Sequence, residues 1–170
     1  MQRFDLPDLL VAAALAPLLL ALSAISLPPQ QQLPVLLAGV IACTLAVHDA
    51  RTGYLPDIGT LGLLWLGLLL SGNSRAAIFG AAWGYVVLWL LGHLYRWARG
   101  RHGMGYGDYK LLAAAGAWVG AAALPWLILL ACISTLAWTA LRRVPLDSPT
   151  AFGPHLALGL LALLLWQGPL

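Results

Sequence analysis

Two aspartates that are remote in the sequence are the side chains best suited to chemistry. Asp49 closes one long apolar run and Asp108 opens another. A charged group at the edge of a membrane segment is a functional hypothesis by default, because placing it there is costly. Two carboxyl groups held close together cannot both ionise, and such a pair can polarise a carbonyl group while it deprotonates water. The two residues therefore predict a dyad of the aspartic-protease type.

The sequence contains few residues that suggest other catalytic chemistry. It has no Gly-x-Ser-x-Gly, His-Glu-x-x-His or phosphate-loop motif. Cys43 and Cys132 lie in separate apolar runs, and the four histidines are scattered without a cysteine pair, so no metal and no cofactor are expected. His48 could tune Asp49 or be an ordinary interfacial residue. His155 could contact the site or lie at the membrane edge.

Apolar helices must position the two aspartates. Of the 170 residues, 61% are hydrophobic and only 9% are charged, and glutamate does not occur, which excludes an ordinary soluble surface. A membrane-spanning helix needs roughly 20 apolar residues, so six or seven short spans nearly exhaust the length. We therefore expect an all-α, polytopic transmembrane bundle of about seven spans, with six as the alternative, in one integral-membrane domain covering residues 1–170.

Seven apolar runs define the predicted spans. The first ends at residue 27 and is expected to be a retained helix rather than a cleaved signal peptide, because its polar start carries two acids and one arginine. A polar turn is expected at residues 28–32. The later runs cover residues 33–47, 57–70, 76–97, 108–123, 125–142 and 152–166.

Counting the spans from the N-terminus, which is expected to be cytoplasmic, assigns each loop to one of the two membrane faces. Arg75 is then the one basic residue on the outer face, and the positive-inside rule makes the other face cytoplasmic. All six aspartates fall on the cytoplasmic face, so polar chemistry is predicted there. The net charge of +3 follows from this topology, so the expected partner is the lipid bilayer and not nucleic acid. The cytoplasmic basic residues are Arg3, Arg51, Arg96, Arg99, Arg101, Lys110, Arg142 and Arg143.

Glycine occurs at alternate positions before Asp108. Gly103, Gly105 and Gly107 permit backbone geometry that is closed to other residues and allow another chain to approach closely. An extended substrate strand could hydrogen-bond there. The simpler alternative is that Asp49 and Asp108 only cap helices and pair with nearby basic residues.

The groups beside the two aspartates leave several roles open. Arg51 and Lys110 could each form an ion pair with the neighbouring aspartate, and Lys110 could instead extend along the membrane surface. Asp49 is at the carboxyl end of its run, where the helix dipole disfavours ionisation, whereas Asp108 is at an amino end. Helix polarity therefore predicts that Asp49 holds the shared proton and that Asp108 acts first as the base.

Three stretches resemble the motifs of one enzyme family. Residues 104–110, MGYGDYK, which run on into LLAAAGAW, resemble the second catalytic motif of the type IV prepilin peptidases, a group of GxGD aspartyl proteases. Residues 49–57, DARTGYLPD, are similar to their first motif, in which an aspartate precedes a Pro-Asp pair by the same interval. Phe152, Gly153 and Pro154 resemble a third element ahead of the last helix.

By this resemblance, Asp49 and Asp108 are the catalytic pair of an intramembrane aspartyl endopeptidase. The implied substrates are the basic leaders of type IV prepilins, or of pseudopilins in type II secretion, cut after a glycine on the cytoplasmic side of the bacterial inner membrane. Pilus or type II secretion machinery would be a further partner. The candidate supporting or substrate-binding residues are Pro56, Asp57, Gly105, Tyr106, Gly107, Lys110, Phe152, Gly153 and Pro154.

Asp57 has two alternative roles. It follows Pro56 at the start of the third run, so we expect it to be a helix N-cap. The alternative is that its carboxylate contacts the positive leader of a substrate.

One departure from the family pattern concerns the segment after the first helix. Many bacterial members carry a cytoplasmic insert there, whose paired Cys-x-x-Cys motifs bind zinc and support N-methylation of the newly exposed residue. Residues 28–32 stand at that place here, so methyltransferase activity is expected to be absent. Outside this activity, paired aspartates in apolar helices also fit a proton- or cation-coupled transporter. A catalytically inactive relative that only assembles with pilus machinery is a third alternative.

Overall fold

The computed structural model describes residues 27–100, 104–143 and 150–170. These residues form six α-helices, one 3-10 helix and no strand, which confirms the all-α prediction. The predicted first span lies outside the described residues, as do Gly103, Arg101 and Asp147. The helices are α1 (Pro29–Thr52), α2 (Asp57–Leu70), α3 (Ser74–Arg99), α4 (Tyr106–Val119), α5 (Leu124–Arg142) and α6 (Gly153–Gln167), with the 3-10 helix at Ala121–Ala123.

Three stretches among the described residues are long and apolar enough to cross a membrane. They are α1 with 24 residues, α3 with 26, and the 3-10 helix joined to α5 with 22. Helices α2 and α6 are apolar but shorter, with 14 and 15 residues. The chain is therefore compatible with a membrane helical bundle, and the count of about seven spans stays a prediction.

The start of α1 differs from the prediction. Residues 28–32 were expected to form a polar turn, but α1 begins at Pro29, with Pro28 as its N-cap. The reason is local, because proline suits the first helical position, where its missing N–H is not needed and its fixed φ is already helical. The three glutamines that follow are good helix formers. The other predicted helix boundaries agree with the structure to within a few residues.

Helix α4 lies at the centre of the bundle. Every residue from Leu111 to Val119 is buried, and the helix packs against α2, α3 and α6. A helix that is apolar on all sides belongs in the interior, and the small alanines of α4 let its neighbours come close. The first turn of this central helix carries Asp108.

Glycines on α3 face α4 and bring the two backbones into contact. A Cβ atom on either Gly80 or Gly116 would overlap the backbone of the other residue, and one on Gly84 would overlap the carbonyl of Leu112. Small residues four positions apart on one helix face are typical of closely packed membrane helices. Helix α4 is therefore held against α3 by contact between bare backbones.

The end of the bundle remote from Asp108 is joined by hydrogen bonds to backbone carbonyls. Trp118 donates from Nε1 to the buried carbonyl of Leu63 at 2.9 Å. The Leu170 N–H donates to the Trp118 carbonyl at 3.0 Å, and the Gly72 N–H donates to the Leu170 carbonyl at 2.8 Å. Such bonds satisfy polar backbone groups that lipid cannot. We call this region, defined by Leu63, Gly72, Trp118 and Leu170, the closed end.

The opposite end gathers the carboxyl end of α1 and the amino ends of α2, α4 and α6. We call it the acidic end, because its defining residues are Asp49, Asp57, Asp108, Lys110 and Gly153, which are in mutual contact or line a common cavity. This grouping follows from the alternating direction of successive helices. Placement of the acidic end at the cytoplasmic face stays a prediction from the basic residues.

Candidate functional site

A cavity of about 330 Å³ opens at the acidic end. Its walls come from the last turns of α1, the connection between α1 and α2, and the first turns of α2 and α4. Asp49 and Asp108, which are remote in the sequence, therefore line the same cavity. The lining residues are Asp49, Gly53, Tyr54, Leu55, Asp57, Gly105, Tyr106, Gly107, Asp108 and Lys110.

Asp49 is held in place by the start of α6. Its side chain is only 5% exposed, and Oδ2 accepts a hydrogen bond from the Gly153 N–H at 3.0 Å. This N–H is one of the donors that a helix leaves unpaired at its amino end, so the carboxylate also satisfies α6. A Cβ atom on residue 153 would lie 2.6 Å from Oδ2, so a glycine is required for this contact. Phe152 is the N-cap that precedes Gly153, and Pro154 begins the first turn after it.

Asp108 faces the same cavity from the third position of α4. The residue is 8% exposed, and it lines the same cavity as Asp49. Gly105, the N-cap of α4, has an extended backbone, and its carbonyl accepts a hydrogen bond from the Asp108 N–H at 3.2 Å. Two carboxyl groups from helices that are not neighbours in the sequence therefore line one cavity.

The structure changes the basis for assigning protons within this pair. The prediction that Asp49 holds the proton considered only α1, at whose carboxyl end Asp49 lies. Asp49 also faces the amino end of α6, so helix polarity no longer separates the two residues. The assignment stays a prediction.

The approach of an extended substrate strand to the alternate glycines stays a prediction, and the structure shows that Gly107 allows a close approach within the chain itself. This residue lies inside α4, and a Cβ atom on it would be 2.8 Å from the Leu55 Cβ. Gly107 thus allows the connection between α1 and α2 to close onto α4. Gly105 is extended, and the nearest atom to a Cβ there would be an Asp108 carboxylate oxygen at 3.7 Å, so it leaves room beside the carboxylate.

Lys110 and Asp57 form an ion pair at the mouth of the cavity. Lys110 Nζ lies 2.6 Å from Asp57 Oδ1, and the two side chains are 34% and 54% exposed. Two predictions are corrected here. Among the described residues, Lys110 pairs with Asp57 and not with Asp108, because its long side chain reaches the start of α2. The N-cap of α2 is Pro56, and Asp57 is the first helical residue without a capping side-chain bond.

Three other candidates lie beside the cavity or away from it. Pro56 is buried and does not line the cavity; its carbonyl accepts hydrogen bonds from Gly59 and Thr60. His155 Nδ1 lies 2.9 Å from Ser134 Oγ, so it joins α6 to α5, and it is not among the residues that line the cavity. His48 is buried next to Asp49 in α1.

Three residues that line the cavity, Gly53, Tyr54 and Leu55, are not among the site residues predicted from the sequence. Gly53 ends α1 with a φ of 64°, and its N–H donates to the Asp49 carbonyl at 2.7 Å. The chain reverses there and turns Tyr54 and Leu55 towards α4. They could have been predicted from their position between Asp49 and Asp57, since a short connection between two site residues must border the site.

Within residues 27–100, 104–143 and 150–170, no group of three or more His, Cys, Asp or Glu side chains is arranged to hold a metal ion. Cys43 is buried in α1, and Cys132 is exposed on α5.

The chain is similar to known proteins over most of its length. Residues 35–140 match the family model described as the type IV leader peptidase family. The chain is 50% identical over 124 residues to the prepilin leader peptidase/N-methyltransferase of Pectobacterium carotovorum, covering 68% of this chain and 44% of that protein.

More distant relatives carry the same description. The protein of Escherichia coli K12 is 43% identical over 125 residues, which cover 68% of this chain and 55% of the relative. The protein of Aeromonas hydrophila is 39% identical over 173 residues, which cover 96% of this chain and 58% of the relative. This chain therefore spans about half the length of the curated relatives it matches. No solved structure matches it.

Proposed function

Because the chain belongs to the type IV leader peptidase family, we propose that it is an aspartyl endopeptidase that removes the leader of type IV prepilins or pseudopilins. The cut follows a glycine, at the cytoplasmic face of the bacterial inner membrane, and the newly exposed residue is not N-methylated. Asp49 and Asp108 are the catalytic pair. The peptidase domain occupies residues 1–170.

The observation that carries the proposal is the placement of Asp49 and Asp108 on one cavity by helices that are not neighbours in sequence. The protonated carboxyl group donates a hydrogen bond to the carbonyl oxygen of the scissile peptide bond, and the ionised carboxylate takes a proton from water. The hydroxide adds to the carbonyl carbon. The tetrahedral intermediate then expels the amine, which leaves with a proton from the pair as the C–N bond breaks.

The contact between Gly153 and Asp49 supports a positioning role for the third motif. The Gly153 N–H fixes one oxygen of the Asp49 carboxylate and thereby the direction in which the other can point. Proton transfer needs donor and acceptor within hydrogen-bond reach, so this orientation affects the rate directly. Gly153 is accordingly a positioning residue.

The substrate must present an unfolded peptide bond to this pair. A helical segment in lipid keeps its amides bonded to one another, so the segment around the cut unwinds at the membrane edge. The cavity has polar walls there, including exposed Tyr54 and Tyr106. The cytoplasmic location is supported by the positive-inside distribution of lysine and arginine.

The absence of N-methylation is supported by the sequence after the first apolar run. Residues 28–32 contain no cysteine, and the two cysteines of the chain lie apart, at positions 43 and 132. Mass spectrometry of the product formed in the presence of a methyl donor tests this part separately, since methylation would add the mass of one methylene group.

The decisive experiment uses purified full-length protein and a leader peptide with basic residues ahead of a Gly-Phe junction and an apolar helix after it. We expect mass spectrometry to find cleavage after the glycine. Asp49→Asn and Asp108→Asn should each reduce cleavage by about a thousandfold or more, because either change removes a proton-transfer group.

Asp57→Asn is the matched comparison, because it removes a carboxylate from the same cavity but leaves the pair intact. We expect it to retain cleavage at a reduced rate. Intact peptide under conditions in which a known relative cuts it would reject the peptidase and favour the transporter alternative. Cleavage by both Asn variants at the wild-type rate would reject the pair.

A further inference from the structure

The first turn of α6 contacts two other helices. The Gly153 N–H donates to Asp49 Oδ2 of α1 at 3.0 Å. Two residues later, His155 Nδ1 lies 2.9 Å from Ser134 Oγ of α5. The same turn therefore carries the amide that orients a catalytic aspartate and a ring that is hydrogen-bonded to a third helix.

The hydrogen bond between His155 and Ser134 is a polar contact in an apolar part of the bundle. His155 is the one polar side chain between Gly153 and Trp166, and both bonded side chains are partly buried. Ser134 Oγ also lies 2.9 Å from the Ala131 carbonyl oxygen, which can accept its proton. Because a hydroxyl can donate or accept, the contact to His155 forms with either tautomer of the ring. Away from water, such a bond is strengthened by the low dielectric constant.

The packing of α6 on α5 has two levels. A Cβ atom on Gly159 would lie 3.0 Å from the Leu127 carbonyl oxygen, so the two helices approach closely there. His155 is four positions before Gly159 and lies on the same face of α6, where it meets Ser134. Losing the hydrogen bond would leave the contact at Gly159 in place and release the first turn of α6, which contains Gly153.

We propose that Ser134 and His155 are positioning residues, whose hydrogen bond fixes the first turn of α6 on α5 and thereby aims the Gly153 amide at the Asp49 carboxylate. The consequence for rate rests on the proposed peptidase function, because proton transfer requires the carboxyl group to lie within hydrogen-bond reach of its partner. The alternative is that the bond between α5 and α6 only adds to stability.

The direct test observes the Gly153 amide without a substrate. Phenylalanine precedes glycine at two places in the sequence, residues 79–80 and 152–153. Protein labelled with 13C at the phenylalanine carbonyl and with 15N in glycine therefore gives two signals in a carbonyl-selected NMR spectrum in detergent. Gly153→Ala identifies which of the two belongs to Gly153. We expect Ser134→Ala to move the Gly153 amide proton upfield, because a weaker bond to the carboxylate deshields it less, and to leave the Gly80 signal in place.

Cleavage of the leader peptide gives the second measurement. Ser134→Ala should lower kcat by about tenfold and change KM little, because the substrate still binds while Asp49 is misplaced. Ser134→Thr retains the hydroxyl and should keep most of kcat. The matched control is Thr135→Val, which removes a neighbouring hydroxyl that donates to the Ala131 carbonyl of its own helix at 2.8 Å. This control should leave both kcat and the Gly153 signal unchanged.

A double-mutant comparison separates positioning from stability. When Gly153→Ala has already displaced the carboxylate, adding Ser134→Ala should change kcat by less than about twofold. His155→Phe keeps a ring and breaks the same hydrogen bond from α6, so it should reproduce the effects of Ser134→Ala on kcat and on the Gly153 signal.

A bond that only adds to stability predicts a different result. The denaturation midpoint would then fall in Ser134→Ala and His155→Phe while the Gly153 signal and kcat stay at their wild-type values, which would overturn the inference. A tenfold loss of kcat on adding Ser134→Ala to Gly153→Ala would also overturn it. A wild-type protein that does not cut the peptide, but whose Gly153 signal moves in Ser134→Ala, would reject the proposed function and support the positioning of the amide.

Discussion

The two ends of the bundle are held together in different ways. At the closed end, the contacts are hydrogen bonds to backbone carbonyls, such as those from Leu170 to Trp118 and from Gly72 to Leu170. At the acidic end, contacts use charged side chains, the carboxylates of Asp49 and Asp57. The closed end has little freedom to change its contacts, whereas the acidic end can exchange them with a substrate.

This difference shows how a small membrane protein can have a rigid helix interior and a substrate-accessible site on the same helix. The interior of α4 is packed against α3 through glycine, and its first turn borders an open cavity. Groups that must bind and release a substrate lie at the end where contacts are exchangeable. The following substitutions test this division of roles.

The largest effect on stability is expected from Gly116→Ala. The new methyl group would overlap the backbone of Gly80, which cannot move without separating α3 from α4. We expect the free energy of unfolding in detergent to fall by about 3 kcal/mol, measured by chemical denaturation. Gly62→Ala in α2 is the control, because its Cβ would have nothing within 4 Å, and it should raise stability by about 0.5 kcal/mol. Equal stability of the two variants would contradict backbone contact between α3 and α4.

Among substitutions that leave both carboxyl groups in place, the largest effect on activity without loss of the fold is expected from Gly153→Ala. Its methyl group would lie 2.6 Å from Asp49 Oδ2 and would displace the carboxylate. Because small misplacements of a catalytic group are costly, kcat should fall by about a hundredfold. The denaturation midpoint should change little. A variant with wild-type kcat would show that the third motif does not position Asp49.

A matched pair of glycine variants tests the start of α4. Gly107→Ala should lower kcat/KM by about tenfold, since its methyl group would press on Leu55 and shift the cavity wall. Gly105→Ala should change it by less than about threefold, because the nearest atom is at 3.7 Å. Adding Leu55→Ala to Gly107→Ala should recover activity. Equal losses at positions 105 and 107, without recovery, would contradict this steric account.

The smallest effect is expected at the closed end, from Trp118→Phe. The variant loses the hydrogen bond to the Leu63 carbonyl but keeps an aromatic ring in the core. Stability should fall by about 1 kcal/mol in chemical denaturation, with kcat unchanged. A large loss of kcat with intact stability would mean that the closed end takes part in catalysis.

The helices and the depth of the two catalytic candidates could be predicted from the sequence. The thickness of the bilayer sets the length of each apolar run. Because successive helices alternate in direction, the end of one run lies at the same membrane depth as the start of another. Asp49 and Asp108 could therefore be placed at the same end. The polar start of α1 could not be predicted, because prolines and glutamines between two apolar runs are typical of a turn and also fit the first turn of a helix.

The contacts within the acidic end could not be predicted in the same way. The hydrogen bond from Gly153 to Asp49 joins residues 104 positions apart, and no local pattern specifies which amide reaches which oxygen. The pairing of Lys110 with Asp57 depends on how far a flexible side chain reaches between packed helices. The need for glycine at 107 depends on Leu55, which approaches only after the bundle has formed.

The contact between Gly80 and Gly116 also limits how the catalytic pair can adjust. Two bare backbones that touch can neither slide nor rotate without a clash, so α4 has one permitted register and Asp108 one direction. Asp49 is oriented from a different helix, by the Gly153 amide at the start of α6. The separation between the two carboxyl groups is then set from two sides, by the backbone contact that fixes α4 and by the amide that orients Asp49.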